Sequence, residues 1–317
     1  MFAINAARLD NHGCAAYTYL LQGSQPYIRA PFYQFSEQQT DSWHTEHFGK
    51  ETNAAFPFLT GYGGFLQIFT HGFSGIRPQL DALFMDPMMV PQLPHGLVLR
   101  GVKYQGAVLD IFIGPETTTI TRHFVSPSPA PITIRIGGKA PEPGDHVLSG
   151  GETLTVATRR PDRNGTTIPG NLAQCAPVFS LDPHVPGRVS LAVVDGSNAT
   201  LWQPASPHFS SLTIDLGYLQ VTSAISVNWG PTPALHMEVL GSGTVDGRYE
   251  RLVKVGEVTI TESFVEEDAK LVKLRPGNVT FAKFDKKAEI QFVRLEIRGT
   301  WGNDKTVGAT VAEVAVL

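Results

Sequence analysis

The sequence predicts a mainly β protein with an N-terminal helical part, and three observations carry that prediction. Glycines (31) and prolines (23) are abundant and recur every few positions after Pro87, where they would break long helices. Short runs that alternate apolar and polar residues dominate from Gly96 onward. Apolar residues spaced three and four apart, the period of a helix, are confined to the stretch before Asp86. With 317 residues the chain can hold two or three modules, each with its own core.

Residues 2–21 form one candidate helix and residues 56–76 the other. In the second, Phe58, Leu59, Tyr62, Phe65, Leu66, Phe69 and Phe73 fall on one face. Gly61, Gly63 and Gly64 would each cost about 1 kcal/mol against Ala there, so a neighbouring helix or a ligand is expected close to the backbone. The runs 96–104, 107–113, 118–124, 132–136 and 152–156 read as five strands of a β-sandwich spanning residues 87–160. Residues 161–186 are rich in Pro, Asn and Gly, show no period, and read as a linker. Residues 187–317 then form a second all-β unit with strands expected at 212–216, 224–229, 235–240, 251–255, 258–261, 292–298 and 310–317. Charge chemistry agrees with two kinds of module. Residues 1–180 hold 3 lysines and 9 arginines, residues 181–317 hold 7 and 6, and eight of the ten histidines precede Pro186.

The balance of 25 basic against 29 acidic side chains, net −4, argues against a nucleic-acid or anionic-membrane surface. No stretch of about 18 apolar residues occurs, so no membrane span is expected. The N-terminus lacks a basic segment followed by a long apolar run, so a signal peptide cannot be claimed from this sequence. Cys14 and Cys175, 161 positions apart, give neither a disulfide framework nor a metal knuckle and read as two buried small hydrophobes. Sequons at Asn164, Asn198 and Asn278 carry weight only in a secreted chain.

Two segments go beyond fold class. The first is Pro31-Phe32-Tyr33-Gln34-Phe35-Ser36-Glu37-Gln38, followed by the glycine-rich run from Ala55 through Thr60-Gly61-Tyr62-Gly63-Gly64 to His71-Gly72-Phe73-Ser74-Gly75-Ile76-Arg77. With Leu83-Phe84-Met85-Asp86-Pro87 and Pro91-Gln92-Leu93-Pro94-His95-Gly96-Leu97, it resembles the end of the catalytic barrel of fungal acid trehalases, in glycoside hydrolase family 65. The second is Val194-Asp195-Gly196-Ser197-Asn198-Ala199-Thr200-Leu201-Trp202, with Val227-Asn228-Trp229-Gly230, Phe292-Val293-Arg294-Leu295-Glu296-Ile297 and Val311-Ala312-Glu313-Val314-Ala315-Val316. That order resembles a discoidin-type jelly-roll module, related to coagulation-factor C-terminal domains and to carbohydrate-binding modules.

The resemblance implies that residues 1–86 are the closing helices of an (α/α)6 toroid, an incomplete segment whose general acid lies upstream. It also implies an α,α-trehalase that hydrolyses trehalose to two glucose molecules with inversion and without cofactor, inactive as this chain alone. A non-catalytic carbohydrate-binding or structural fragment is the alternative. Inversion needs a carboxylic acid and a carboxylate about 6.5–9.5 Å apart, and Glu37 is the candidate general base, with Glu46 and Glu51 as rivals. Trp43 and His44 are candidates to stack on and hydrogen-bond a glucose ring, and Gly63 and Gly64 to permit close packing or touch substrate.

His44-Thr45-Glu46-His47 lacks the order and the third ligand of a zinc motif, so no metal is expected. In the last module, Trp202 is expected in the core and Asp195 in a turn, with Trp229 and Trp301 as glycan-contact candidates if they project from loops. The expected partners are trehalose or another glycan, with self-association through the exposed open barrel. An extracellular, cell-wall or vacuolar location is inherited from the resemblance.

Overall fold

A computed structural model describes residues 1–9, 13–39, 54–125, 127, 130–255, 258 and 279–317. The chain divides into two units, Met1–Asn164 and Gly165–Leu317. Both are mainly β, and among the described residues the α-helices lie in the first, while the second has a 3-10 helix over Ser190–Val194.

The first unit opens with α1 (Phe2–Leu9) and α2 (Ala15–Ser24). The single helix expected over 2–21 is thus two, and Gly13, at φ 92°, lies just before α2 in a conformation that no helix interior adopts. A short 3-10 turn (Gln25–Tyr27) leads to a two-residue hairpin of β1 (Ile28–Arg29) and β2 (Gln34–Phe35). The second predicted helix also differs. Residues Leu59–Gln67 form α3, and Ile68–Phe73 continue it as a π-turn, so the apolar face turns as it enters the core. Ala3, Ala7, Ala16, Leu20, Ile68 and Phe73 pack with Met88 and Val90 into one cluster.

The sandwich beyond uses β3 (Arg77–Pro78), β4 (Leu83–Met85), β5 (Leu97–Tyr104), β6 (Ala107–Ile113), β7 (Thr117–Arg122), β8 (Ile132–Ile136), β9 (Gly144–Leu148) and β10 (Thr153–Ala157). One sheet runs β10-β7-β6-β5 and the other β3-β4-β8-β9, with β4 parallel to β8. Alternation in β6 and β8 follows the prediction: Leu109, Ile111 and Ile113 face Ile132, Ile134 and Ile136 in one core. Helices and sandwich lie within one compact unit. Leu97 packs against both clusters, and the buried Arg159 bridges Asp86 (3.2 Å) while donating to the Ala7 carbonyl (2.6 Å).

The second unit is built on one six-stranded sheet. It contains β11 (Val178–Phe179), β12 (Phe209–Trp229), β13 (His236–Ser242), β14 (Glu250–Val255), β15 (Val279–Arg298) and β16 (Val311–Val316). Its order is β11-β12-β15-β13-β14, with β16 on the far half of β12. The strands expected at 212–216 and 224–229 are two halves of β12, joined through irregularities at Asp215/Gln220 and Thr222/Ala224 that bend the strand. Both halves therefore feed one core, with Leu212 and Ile214 from the first and Ile225, Val227 and Trp229 from the second. β11 pairs with β12 inside the stretch predicted as a linker, so that stretch is structured. The strand expected at 258–261 falls, apart from Val258, outside the described residues.

Candidate functional site

A hollow of about 330 Å³ in the first unit lies between α1, α2, β2 and α3. Tyr19, Tyr27, Phe35, Phe58 and Phe65 give it aromatic walls, and Glu37 stands on its lining. Aromatic edges run inward from there: Phe35 meets Tyr62 at 5.3 Å between centroids and Phe65 at 5.8 Å, Phe65 meets Phe69, and Phe69 meets Phe73. Gly61 lets α3 approach, because a Cβ there would sit 3.2 Å from three atoms of Phe35.

Glu37 is exposed and held by its neighbours. Its backbone N–H donates to the Ala55 carbonyl (3.0 Å), and its Oε2 accepts the Ala55 N–H (3.0 Å). Arg29 braces the loop by donating to the Gln38 carbonyl (2.7 Å) and the Pro26 carbonyl (2.9 Å).

Gly64 lines this hollow and Gly63 does not. A Cβ at either would meet nothing within 4 Å, so the close packing expected of them is found instead at Gly61. Trp43, His44, Glu46 and Glu51 lie outside the described residues, as does His47. Among the described residues no cluster of three or more His, Cys, Asp or Glu could hold a metal ion.

The π-turn carries a feature that sequence reading missed. His71 accepts or donates at Nδ1 to Thr70 Oγ1 (2.8 Å), and its carbonyl accepts from Arg77 (2.7 Å). Burial, then the Arg77 charge, holds the imidazole below its usual range, so it is neutral in mildly acidic solution more often than a free histidine.

In the second unit Trp202 is fully buried and Asp195 is a turn residue, as the sequence predicts. Asp195 accepts the Ser197 N–H (2.8 Å) and the Thr200 hydroxyl (2.7 Å). Trp229 does not project from a loop. It is 1% exposed, donates its ring N–H to Thr280 (2.9 Å), and belongs to the core. Trp301, by contrast, is 48% exposed on the segment after β15.

Glu313 was not singled out by sequence, and its spacing of 118 positions from Asp195 hides the relation between them. Its Oε2 accepts the Gly196 N–H (3.2 Å), while Oε1 is buried without a hydrogen-bond partner among the described residues. Burial, with the Asp195 charge added, pushes the carboxyl up to about 10, so Glu313 carries a proton at neutral pH. Neither cysteine is a free thiol, which corrects their reading as two buried small hydrophobes.

The geometry defines a two-unit, mainly β protein with an aromatic hollow bearing one carboxylate. No protein-family profile matches the chain. It is similar to fungal acid trehalases: 31% identical over 356 residues to the acid trehalase of Emericella nidulans, covering 100% of this chain and 33% of that protein. Against the cell wall acid trehalase of Arthroderma benhamiae it is 35% identical over 258 residues, covering 76% and 24%. Against the periplasmic acid trehalase of Saccharomyces cerevisiae it is 32% identical over 289 residues, covering 75% and 23%. The chain thus spans about a quarter to a third of the length of these relatives.

Among solved structures, the chain is similar to chitosan-binding module 1 of a Paenibacillus chitosanase/glucanase, with TM-score 0.37 and 16% identity over 46% of this chain and 98% of that one. A Clostridium perfringens module in complex with GalNAc-β-1,3-galactose gives TM-score 0.35 and 14% identity, covering 47% and 99%. These likenesses assign no ligand to this chain.

Proposed function

We propose that this chain is the C-terminal part of an α,α-trehalase that hydrolyses trehalose with inversion, with Glu37 as the general base. The observation that carries this is the match to an acid trehalase along the whole chain. A carboxylate on the lining of an aromatic hollow supports it, since sugars offer C–H faces to rings and hydroxyls to carboxylates. In this reading the helices before Asp86 close an (α/α)6 toroid, and the acid that protonates the leaving oxygen is supplied by residues outside this chain. Glu37 takes a proton from the attacking water on the opposite face of the sugar, so one C–O bond forms as the glycosidic bond breaks. Gly64 borders the sugar, and Trp43 and His44, outside the described residues, are the further candidates to contact it. The chain by itself is inactive. The second unit follows the discoidin pattern and binds glycan. Relatives named as cell-wall and periplasmic enzymes support an extracellular setting, and cysteines that are not free thiols are at home in such an oxidising compartment.

The test is a chimera in which the upstream residues of the Emericella nidulans relative precede this chain. Glucose release from trehalose at acidic pH is expected from the chimera and not from the chain alone. Glu37→Gln in the chimera should lower kcat by at least 10²-fold with KM little changed. Full turnover by the Glu37→Gln chimera would remove Glu37 from the mechanism.

A further inference from the structure

The outer face of the second unit's sheet carries charged residues where β13, β14 and β15 lie side by side. Backbone register puts Lys254, Glu238, Glu296 and Ser211 in one row across β14, β13, β15 and β12. His236, Arg298 and Phe209 form the next row. These side chains alternate with the buried Met237, Val239, Leu295 and Ile297 and so point away from the core. A groove of about 370 Å³ lies over them, lined by His236, Glu238, Lys254, Glu296 and Arg298 together with Met237 and Val255.

Two features mark this groove as more than a solvated strand face. Glu238 and Glu296 are directly opposite across β13 and β15, an arrangement of like charges that costs stability in a sheet. Burial, then the Glu238 charge, raises the Glu296 carboxyl above its usual range. The cations nearby relieve this only in part, since Arg251 stands 3.8 Å from Glu238 and Arg298 is drawn over the Phe209 ring at 5.1 Å. Counted across the lining, two carboxylates stand against Lys254 and Arg298, so the groove favours neither a cation nor an anion.

We propose that this groove binds a neutral pyranoside, its vicinal hydroxyls donating to Glu238 and Glu296 and accepting from Arg298, Lys254 and His236. Carboxylate acceptors beside cationic donors suit sugar hydroxyls, each of which both donates and accepts, and the volume suits one or two rings. Trp301, exposed, lies in the chain at the same end of the sheet. It lies three residues beyond Arg298, with its N–H on the Pro233 carbonyl (3.0 Å), three residues before His236. The inference rests on the reading of the second unit as glycan-binding and assigns the place and the ligand class.

Isothermal titration of the full chain with trehalose and laminaritriose, and with glucosamine trimer and glucuronate as charged comparators, tests it. Glu238→Gln/Glu296→Gln should weaken binding of a neutral sugar at least 10-fold at a melting temperature no lower than that of the parent chain, because the like-charge pair is removed, and Arg298→Met should also weaken binding at least 10-fold. Amide shifts on titration should cluster on β13 and β15. Binding lost in Trp301→Ala but kept in the two charge variants would overturn this site while leaving the second unit glycan-binding. No binding of any probe by the unsubstituted chain would overturn both. Tighter binding of glucosamine trimer than of either neutral sugar would overturn the ligand class.

Discussion

At Glu313 a single proton decides part of the second unit's stability. The folded carboxyl sits at about 10 against 4.5 when free, so between those values the native state holds a proton that the unfolded chain has released. Stability must then fall as pH rises through that window and be complete below about pH 4.5, with a limiting slope of about 1.4 kcal/mol per pH unit. Asp195, on the turn that faces it, is the charge that sharpens the effect, and the Gly196 N–H opposes it. Melting of the second unit in the presence of a chelator, so that no cation replaces the proton, should move down by several degrees between pH 5 and pH 7.5. Glu313→Gln should flatten that dependence, and an unchanged slope would show that the proton is elsewhere. Trp202 illustrates the opposite case, a residue whose burial the sequence did reveal. Replacing it with Ala should cost about 3–5 kcal/mol, read from denaturant unfolding.

At the scale of elements, local pattern was legible wherever one face meets a core and the other meets water. Alternation alone located β6, β7, β8 and β10, because a two-residue period survives any change of partner. It did not find β4, whose parallel partner β8 lies some fifty residues on, nor β9, whose Pro-Gly-Asp approach reads as a turn. Likewise β12 reads as two short strands, and only the 292–298 end of β15 was found, because middle residues such as Tyr218, Leu219 and Lys287 break the alternation at the bends. The candidate site was legible only through resemblance. No period or spacing marks Glu37, whereas the hollow beside it depends on Gly61 meeting Phe35 across the fold. Gly75 gives the sharpest element-level test. It follows the π-turn at φ 65°, and a Cβ would lie 2.7 Å from the Asp86 nitrogen. Gly75→Ala should therefore cost about 2 kcal/mol or more, since both the left-handed conformation and the contact oppose it. The change should also disturb Asp86 against Arg159, and a melting temperature within one degree of the parent would refute this account.

For the molecule as a whole, the exposed apolar surface is unevenly shared. In the helical part of the first unit Phe2, Leu9, Phe32, Tyr33, Leu59 and Leu66 are each more than 60% exposed. Isolated exposed apolar residues are ordinary, and here several large ones fall among the described residues of the first 66 positions. The same first unit buries Ala3, Ala7, Leu20 and Phe73 on the inner sides of these helices, so refolding them inward would empty that cluster. The apolar side chains are committed to facing out, and the hydrophobic effect then favours covering them with another copy. A net charge of −4 spread over 317 residues offers little repulsion against this. Sedimentation velocity at increasing concentration should show self-association in the micromolar range. Leu59→Lys with Leu66→Glu, both on exposed positions of α3, should shift the chain toward monomer without lowering its melting temperature. A monodisperse monomer at about 100 μM would show that these side chains are satisfied within one copy, and would remove the reason to expect a covering surface.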